Sequence, residues 1–526
     1  MTRGFWLGLL VVAAVAVALR WPQLSLRPMH TDEAVHAIKF ADLWQNGAYR
    51  YDPNEYHGPT LYYATLPVVA LSSDPNFDHL RESTLRFVPL LFGVGLILLL
   101  FAVRDALGPA ATLVAAGLTA VSPAFVFYSR YYIHELILVL FSMLFLASAW
   151  HYAEKRSVGW ALLAGASLGV MHATKETSVI AVAAAVGGLG LTLLWNRWRE
   201  GIPIALKPKL NLKHLLAAVA LTLLVSGAFF SSFFTNARGP LDSLLAYFPW
   251  LHRAGGHSPH LHPWPFYFER LFWFHHGPGP VWSEALILIL ALIGFGAALF
   301  RKALPGANLN FIRFLGFYTL ALTAAYSVIS YKTPWCALGF LHGMILLAGV
   351  GAVILVRAGK PVAVRLTAAA LVLLGTGHLA WQAHLGNSIF YEDRRNPYVY
   401  AQTVSDILEL VNNVEAIAKV HPQGYQLPIA VVAVGNDYWP LPWYLRRFLS
   451  LRGPDHWYSE VKPDLAADIV IASPKLRPAL AERLGQTHQV VGLFGLRPSY
   501  NLHFWVRSDL WRDFMERSQA RPEAPK

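Results

Sequence analysis

Apolar stretches about as long as a membrane-spanning helix set the strongest limit on how this chain can fold. A spanning helix needs about 20 mostly apolar residues. Charged residues or Pro and Gly turns bound each stretch, so we predict an α-helical polytopic membrane protein with about eleven transmembrane helices. The stretches lie near residues 4–20, 86–103, 109–127, 134–151, 159–174, 177–195, 214–234, 282–300, 313–330, 336–356 and 365–383.

The composition agrees with a chain that lies mostly in a bilayer. Hydrophobic residues make up 55% of the sequence and charged residues 14%, which is too apolar for soluble domains. The net charge of +12 could suggest nucleic-acid binding. Because the basic residues lie largely in short loops between apolar stretches, topology explains this charge, and we expect membrane lipids rather than nucleic acid as partners. The single cysteine, Cys336, leaves no intrachain disulfide or thiolate metal cluster.

Lys and Arg residues in alternate short loops predict the orientation, because cytoplasmic loops carry an excess of these residues. With eleven spans, we expect a plasma (inner) membrane protein with a cytoplasmic N-terminus and an extracytoplasmic C-terminus. The first stretch could also be a signal peptide, but we expect a retained anchor. The basic residues are Arg3, Arg104, Lys155, Arg156, Arg197, Arg199, Lys207, Lys209, Lys213, Arg301, Lys302, Arg313, Arg357, Lys360 and Arg365.

The apolar stretches end near residue 384, which predicts two domains. Residues 1–384 form a transmembrane domain with two long outer loops, 21–85 and 235–281. Residues 385–526 alternate helical and strand-like patterns and predict a small extracytoplasmic α/β domain. The helical patterns are 399–418, 441–450 and 475–484, and the strand-like runs are 429–434, 469–472 and 490–494.

Ionisable residues recur at three places on the predicted outer side: Asp32 and Glu33 after the first span, residues 128–135, and residues 172–176. Charges at the edge of the bilayer are costly, so their default interpretation is functional. Their common depth predicts one cavity in which Arg130 or Lys175 holds a phosphate. The structural alternatives are a helix cap and first-turn acid for Asp32-Glu33, an ion pair for Lys175-Glu176, and an Arg130 side chain that extends to lipid head groups.

Several of these motifs, in this order, resemble glycosyltransferase family 39, which has the GT-C fold. Asp32-Glu33-Ala34 with the stretch 57–62, Ser129-Arg130-Tyr131, and Thr174-Lys175-Glu176 are similar to the family's outer-turn motifs. Motifs at 57–59, 331–335, 396–400 and 439–444 resemble its prokaryotic, flippase-associated branch of archaeal glycosylation. Where the family's aminoarabinose transferases have Lys-Pro-Pro, this chain has His57-Gly58-Pro59.

The resemblance implies a glycosyltransferase that moves a monosaccharide from a polyprenyl-phosphate carrier to an acceptor glycan, lipid or protein on the extracytoplasmic side. Asp32 is then the candidate catalytic base, with Glu33 orienting it or binding the acceptor. Arg130 and Lys175 would bind the donor phosphate. The supporting residues would be His57, Tyr131, Glu135, Glu176 and Lys332.

The second outer loop is rich in histidine and aromatic residues. With carboxylates, its histidines could bind a divalent metal ion, although no spacing matches a compact zinc site and no cofactor is certain. The stretch 262–265, His-Pro-Trp-Pro, could lie at the membrane interface or stack on sugar. The loop histidines are His252, His257, His260, His262, His275 and His276.

Two other functions fit a chain of this kind. One is a transporter or flippase component for lipid-linked sugar, but no internal repeat is visible and the charges sit at turns rather than in mid-span. The other is a non-catalytic glycan-assembly protein whose outer α/β domain binds a partner, since that domain has no Gly-rich phosphate loop. Loss of sugar transfer on replacing Asp32, with expression intact, would separate the enzyme from both.

Overall fold

The computed structural model describes residues 3–54, 57–202, 211–255, 258, 260–300, 306–453 and 455–519. These form two compact units. The first unit comprises Met1–Leu24, Asp42–Ser72 and Ser83–Tyr400, and the second comprises Ser25–Ala41, Ser73–Glu82 and Ala401–Lys526. Of the residues used in the sequence predictions, Lys207, Lys209, His257, Arg301 and Lys302 lie outside the described part of the chain.

Helices make up most of the chain up to residue 388. They are α1 (Arg3–Arg20), α2 (Thr31–Asn46), α3 (Thr60–Leu71), α4 (Glu82–Leu99), α5 (Arg104–Leu107), α6 (Pro109–Val121), α7 (Pro123–Tyr128), α8 (Glu135–Lys155), α9 (Val158–His172), α10 (Ser178–Glu200), α11 (Leu212–Phe230), α12 (Gly239–Leu245), α13 (Tyr247–Gly255), α14 (Phe266–Phe272), α15 (Ala285–Leu299), α16 (Leu309–Val328), α17 (Leu338–Ala358) and α18 (Val362–Ser388).

Within the described residues, eight helices are long and apolar enough to cross a membrane by length and composition. They are Arg3–Arg20, Glu82–Leu107, Glu135–Lys155, Ser178–Glu200, Leu212–Phe230, Leu309–Val328, Pro334–Ala358 and Val362–Ser388, and the shorter apolar helices are α3, α6, α9 and α15. Each of the predicted apolar stretches overlaps one of these helices. The predicted helical membrane fold is therefore confirmed, and the chain is an integral membrane protein. The number of spans stays a prediction.

The predicted stretch 109–127 is two helices rather than one. Ser122 has extended backbone angles (φ −52°, ψ 122°) and Pro123, which has no N–H to donate, begins α7. The break leaves polar groups without partners inside a helix, and Glu284 supplies them. Its buried carboxylate accepts hydrogen bonds from Ser122 Oγ (2.6 Å) and the Ala124 N–H (3.0 Å). The sequence is therefore apolar throughout 109–127, although the helix is interrupted at Ser122.

Small residues let neighbouring helices of the first unit approach closely. A Cβ added to Gly351 of α17 would lie 1.9 Å from the carbonyl oxygen of Leu290 in α15. A Cβ on Gly294 of α15 would lie 2.2 Å from the carbonyl oxygen of Leu347 in α17. Any larger residue would force these two helices apart, as expected for helices that pack without a hydrophobic driving force between them.

The second unit contains a mixed five-stranded sheet of order β2-β1-β3-β5-β4. The strands are β1 (Ile429–Val432), β2 (Trp457–Tyr458), β3 (Ile469–Ala472), β4 (His488–Arg497) and β5 (Tyr500–Arg507). Strand β1 runs parallel to β2 and β3, while β5 is antiparallel to β3 and β4. The helices of this part are α19 (Asp406–Val420), α20 (Leu441–Tyr444), α21 (Arg477–Leu484) and α22 (Ser508–Gln519).

Both faces of the central strands β1 and β3 are buried, which explains their unbroken apolar sequences. Ile469 and Ile471 of β3 share a hydrophobic core with α19. Their neighbours Val470 and Ala472 point to the other face, where Leu480 of α21 covers them. Apolar residues at every position of β1 and β3 therefore reflect helices on two sides of the sheet.

The predicted helices and strands of this α/β part are only partly right. Helix α19 begins at Asp406 rather than at residue 399, and α20 ends at Tyr444. A short 3₁₀ helix, Leu449–Leu451, lies at the predicted end of this helix, and Leu445 and Phe448 before it are buried in a turn segment. Their spacing therefore reflects core packing rather than helical periodicity. The sequence patterns also missed β2, β5 and α22.

Candidate functional site

The turn between α9 and α10 carries Lys175 and Glu176, and a segment of the first outer loop holds it in place. His57 and Lys175 form an antiparallel bridge, and the Gly58 N–H donates to the Thr174 carbonyl at 3.1 Å. A Cβ on Gly58 would lie 2.0 Å from the carbonyl oxygen of Ala173, so this close approach requires glycine. The His57-Gly58 motif thus fixes the turn that bears both charged residues.

Lys175 forms a buried ion pair with Glu135, the first residue of α8. Both side chains are less than one-tenth exposed. Burial opposes the charged form of Lys175, but the neighbouring Glu135 carboxylate outweighs it, so the pKa of the Lys175 ammonium is raised above its usual value. Lys175 is therefore a fixed positive charge.

A small cavity of about 30 Å³ lies beside this ion pair. Side chains of α8, α10, α16 and α17 line it, together with the turn before α17, where Trp335 and Cys336 lie. Except at the ion pair, its wall is largely apolar. The apolar lining residues are Leu138, Val139, Ala181, Leu322, Trp335 and Leu338, and the polar ones include Ser142, Thr177, Tyr318 and Tyr326. A fixed cation beside an apolar wall suits an amphipathic anion.

Glu176 has different partners from the adjacent Lys175. One carboxylate oxygen accepts a hydrogen bond from the Tyr51 hydroxyl (3.3 Å), and the other lies 3.1 Å from His57 Nδ1. Burial and the Glu176 charge raise the pKa of the Tyr51 phenol, which keeps it a donor. The Glu176 side chain is 5% exposed and that of His57 is 28% exposed. A buried acid thus orients a partly accessible imidazole.

Arg130 and Tyr131 lie between α7 and α8 and are both buried. Arg130 donates to the Gln23 carbonyl at 2.7 Å. Such burial does not fit a guanidinium that extends to lipid head groups. The Tyr131 ring packs on Phe127 and Tyr128, with centroids 5.5 Å away in each case. Tyr131 therefore belongs to an aromatic cluster in the first unit.

Lys332 ties two loops of the first unit together. Its ammonium donates to the carbonyls of His262 (2.9 Å) and Ile329 (2.5 Å). Leu261 and Tyr331 form a backbone bridge in the same place. Burial lowers the pKa of Lys332. This arrangement joins the histidine-rich loop to the segment that leads to Trp335 in the cavity wall.

The histidines of the second outer loop do not build a metal centre in the described part of the chain. No group of three His, Cys, Asp or Glu side chains with suitable geometry occurs among the described residues. His260 Nδ1 and His262 Nε2 instead share the Tyr400 hydroxyl, at 2.7 and 2.9 Å. Burial and nearby cations lower the pKa of His262 to about 4, so this imidazole is neutral at pH 7.

Asp32 and Glu33 lie in the second unit, at the start of α2. Glu33 is fully buried and its carboxylate accepts the His30 N–H at 3.0 Å, as in a capping box. The Asp32 N–H donates to His30 Nδ1 at 3.1 Å, and burial lowers the pKa of this imidazole. The Asp32 side chain is 41% exposed. Asp32 lies inside the first turn and is not the helix cap, Glu33 is a first-turn acid as predicted, and the Asp32 carboxylate reaches solvent.

The first unit brings together four of the predicted site residues, namely His57, Glu135, Lys175 and Glu176. Whether Asp32 and Glu33 share a cavity with them stays a prediction. Sequence reasoning missed Tyr51, Tyr400 and Glu284. Glu284 could have been found, because it is a lone acid at the start of an apolar stretch, and the rule applied to the other outer charges also applies to it.

Fold and site together define a class of protein: a polytopic membrane protein with buried charges at the ends of its helices and a separate α/β unit. The model for the family described as dolichyl-phosphate-mannose-protein mannosyltransferase matches residues 77–227. Among curated proteins, none matches the sequence significantly. The matched range runs from before α4 into α11, and Arg130, Glu135, Lys175 and Glu176 lie within it.

Solved structures with the same architecture cover nearly the whole chain. ArnT from Cupriavidus metallidurans bound to undecaprenyl phosphate has a TM-score of 0.66 and 17% identity, over 97% of this chain and 99% of that one. The Archaeoglobus fulgidus oligosaccharyltransferase tethered with an acceptor peptide has a TM-score of 0.58 and 11% identity, over 97% and 77%. The chain therefore has a GT-C fold like that of glycosyltransferase family 39.

Proposed function

We propose that the chain is a membrane glycosyltransferase that moves a monosaccharide from a polyprenyl-phosphate carrier to an acceptor on the extracytoplasmic side. The observation that carries the proposal is the buried cation Lys175 beside a small, mostly apolar cavity, within a GT-C fold. The carrier has the matching chemistry, an anionic phosphate joined to a long apolar chain. ArnT, similar in fold, was solved with such a carrier, undecaprenyl phosphate.

In the proposed donor site, Lys175 and Arg130 bind the phosphate of the carrier. Charge-assisted hydrogen bonds in a largely dehydrated site stabilise the negative charge that develops as the phosphate leaves. Glu135 keeps Lys175 charged in the absence of donor and fixes its position. Tyr131 and Lys332 support this site indirectly, through the aromatic cluster and through the loop that leads to the cavity wall.

In the proposed reaction, an acceptor hydroxyl attacks the anomeric carbon of the sugar. The bond from this carbon to the phosphate oxygen breaks, and its electron pair stays with the polyprenyl phosphate. The acceptor proton passes to Asp32, whose side chain is 41% exposed. Glu33 fixes the helix start that presents Asp32. One bond forms as the other breaks, so the anomeric configuration inverts.

Turnover of the carrier tests this proposal. Purified protein should release polyprenyl phosphate from one or more of a panel of polyprenyl-phosphate sugars when an acceptor mixture is present. Mass spectrometry of the lipid fraction follows the release, and an acceptor-free sample is the control. A transporter or assembly protein would bind or move the lipid without splitting it, so intact donor across the whole panel would contradict the proposal.

The proposed orientation predicts the position of reporter fusions. A reporter fused after residue 390 should be extracytoplasmic, and one fused after Arg156, between α8 and α9, should be cytoplasmic. The reason is the excess of Lys and Arg in the loops assigned to the inside. Paired alkaline phosphatase and fluorescent protein fusions measure this. A cytoplasmic signal after residue 390 would show that the span number is wrong.

Glu176→Gln should lower transfer by about tenfold, as expected for weakening one hydrogen bond to a charged group. Glutamine can still accept from Tyr51, but it has no charge with which to orient His57. The measurement is kcat with saturating donor. Glu269→Gln, at an exposed acid in α14, is the matched control and should behave as wild type. If Glu176→Gln lost as much kcat as is expected for Asp32→Asn, Glu176 would take part directly in the reaction.

A further inference from the structure

We propose that the C-terminal α/β part, residues 401–526, is a positioning device for the catalytic base rather than a separate recognition module. Three of its side chains, Gln402, Tyr444 and Arg497, hold the segment Pro28–Thr31, which directly precedes Asp32. All of these residues lie in the second unit. The inference rests on the proposed function of Asp32 as the base.

Tyr444 makes the central contact. Its hydroxyl accepts the Met29 N–H at 2.8 Å and donates to the Glu82 carboxylate at 2.6 Å. The Trp443 indole N–H donates to the same carboxylate oxygen at 3.4 Å. The phenol therefore has a donor and an acceptor role at once, which fixes the direction of its O–H bond. One hydroxyl thus connects the backbone before Asp32 to Glu82.

Two further side chains hold Pro28 and Thr31, which flank Met29 and His30. Gln402, which is 1% exposed, donates to the Pro28 carbonyl at 3.0 Å. Arg497, near the end of β4, donates to Thr31 Oγ1 at 3.2 Å and to the Trp439 carbonyl at 3.4 Å. Asp437 forms an ion pair with the same guanidinium and limits its movement. The segment is therefore held at three points, Pro28, Met29 and Thr31, by parts of the chain far away in sequence.

These contacts reach Asp32 through the start of α2. The His30 N–H is bound by Glu33, and His30 Nδ1 accepts the Asp32 N–H. A shift of Met29 or Thr31 would move this whole helix start, and with it the Asp32 carboxylate. Misplacement of a reacting group by about 1 Å can cost 10²-fold in rate. Gln402, Tyr444 and Arg497 are therefore positioning residues and touch no substrate themselves.

Tyr444→Phe tests the inference, since it removes one oxygen and keeps the ring. We expect kcat to fall by about ten- to a hundredfold, with KM for the donor nearly unchanged, because the base is misplaced while the donor site is intact. Tyr425→Phe is the matched control: it removes a hydroxyl from the same α/β part, at a ring that packs on Phe448, and should keep wild-type kcat. Thermal unfolding in detergent verifies that each variant is folded.

The same change made in the Asp32→Asn background separates positioning from a general structural role. If Tyr444 acts through Asp32, Tyr444→Phe should lower the residual activity of Asp32→Asn no further. Equal losses in both backgrounds would overturn the inference, as would wild-type kcat in Tyr444→Phe. Arg497→Met gives a second, independent variant and should show the same dependence on Asp32. Should Asp32→Asn itself remain active, the assignment of Asp32 as the base fails, which is a different result from additive losses.

Discussion

Asp32→Asn should remove nearly all transfer, leaving about 10⁻² to 10⁻⁴ of the wild-type kcat, the usual contribution of a general base. The amide has the size of the carboxylate and keeps most of its hydrogen bonds, but it cannot take the acceptor proton. Folding should survive, because the Asp32 side chain is 41% exposed and the helix start depends on Glu33 and on backbone groups. Carrier release by purified, folded protein measures the loss.

Donor binding provides the control for this variant. Asp32→Asn should bind a polyprenyl-phosphate sugar as tightly as wild type, since the phosphate contacts are assigned to Arg130 and Lys175. If the folded variant released carrier at a near wild-type rate, the base assignment would be wrong. Glu33 or a substrate-assisted route would then be the better proposal, and Glu33→Gln would be the next variant to measure.

Lys175→Met should abolish transfer and also destabilise the protein. It leaves Glu135 as an uncompensated buried charge, which typically costs about 3–5 kcal/mol. The double variant Lys175→Met/Glu135→Leu replaces the pair with apolar side chains of similar volume, and this is often neutral for stability. We therefore expect the double variant to fold as wild type does, yet to transfer sugar about 10²–10³ more slowly, as expected for loss of a phosphate-binding cation.

The pair of variants separates a structural ion pair from a functional cation. Midpoints of thermal unfolding report the recovery of stability, and carrier release reports the chemistry. If the double variant recovered both stability and rate, Lys175 would serve only to balance Glu135. Glu135→Gln alone should keep more activity than Lys175→Met, because it leaves the lysine in place.

The helices of the first unit could be predicted because the bilayer imposes a simple rule on length and composition. The same rule located the turns that carry Arg130, Glu135 and Lys175. Charge pairing could not be predicted in this way. Lys175 and Glu176 are adjacent in sequence, yet one bonds Glu135 and the other Tyr51 and His57. Which partner each charge takes depends on helix packing, and spacing along the chain does not encode it.

In the α/β part, the buried strands could be predicted, but a helix end and the long-range contacts could not. Strands β1 and β3 were readable because they are buried on both faces and unbroken in apolar character. Leu445 and Phe448 have a helical spacing, but they lie in a turn between α20 and a short 3₁₀ helix (Leu449–Leu451), where the core buries them. The roles of Tyr444 and Arg497 depend on contacts with residues about 30 positions from the N-terminus, and no local pattern carries such information.

The division of the chain into units also constrains how it can be made. The second unit draws on Ser25–Ala41, Ser73–Glu82 and Ala401–Lys526, so its first pieces leave the ribosome long before its last. At about 5–20 residues per second, synthesis of the intervening Ser83–Tyr400 takes tens of seconds. During this time the segment that contains Asp32 has been synthesised, but the strands that pack beside it have not. We therefore expect the proposed site to form late, after the helices have entered the membrane. A chain that lacks β4 and β5 should then be inserted but inactive.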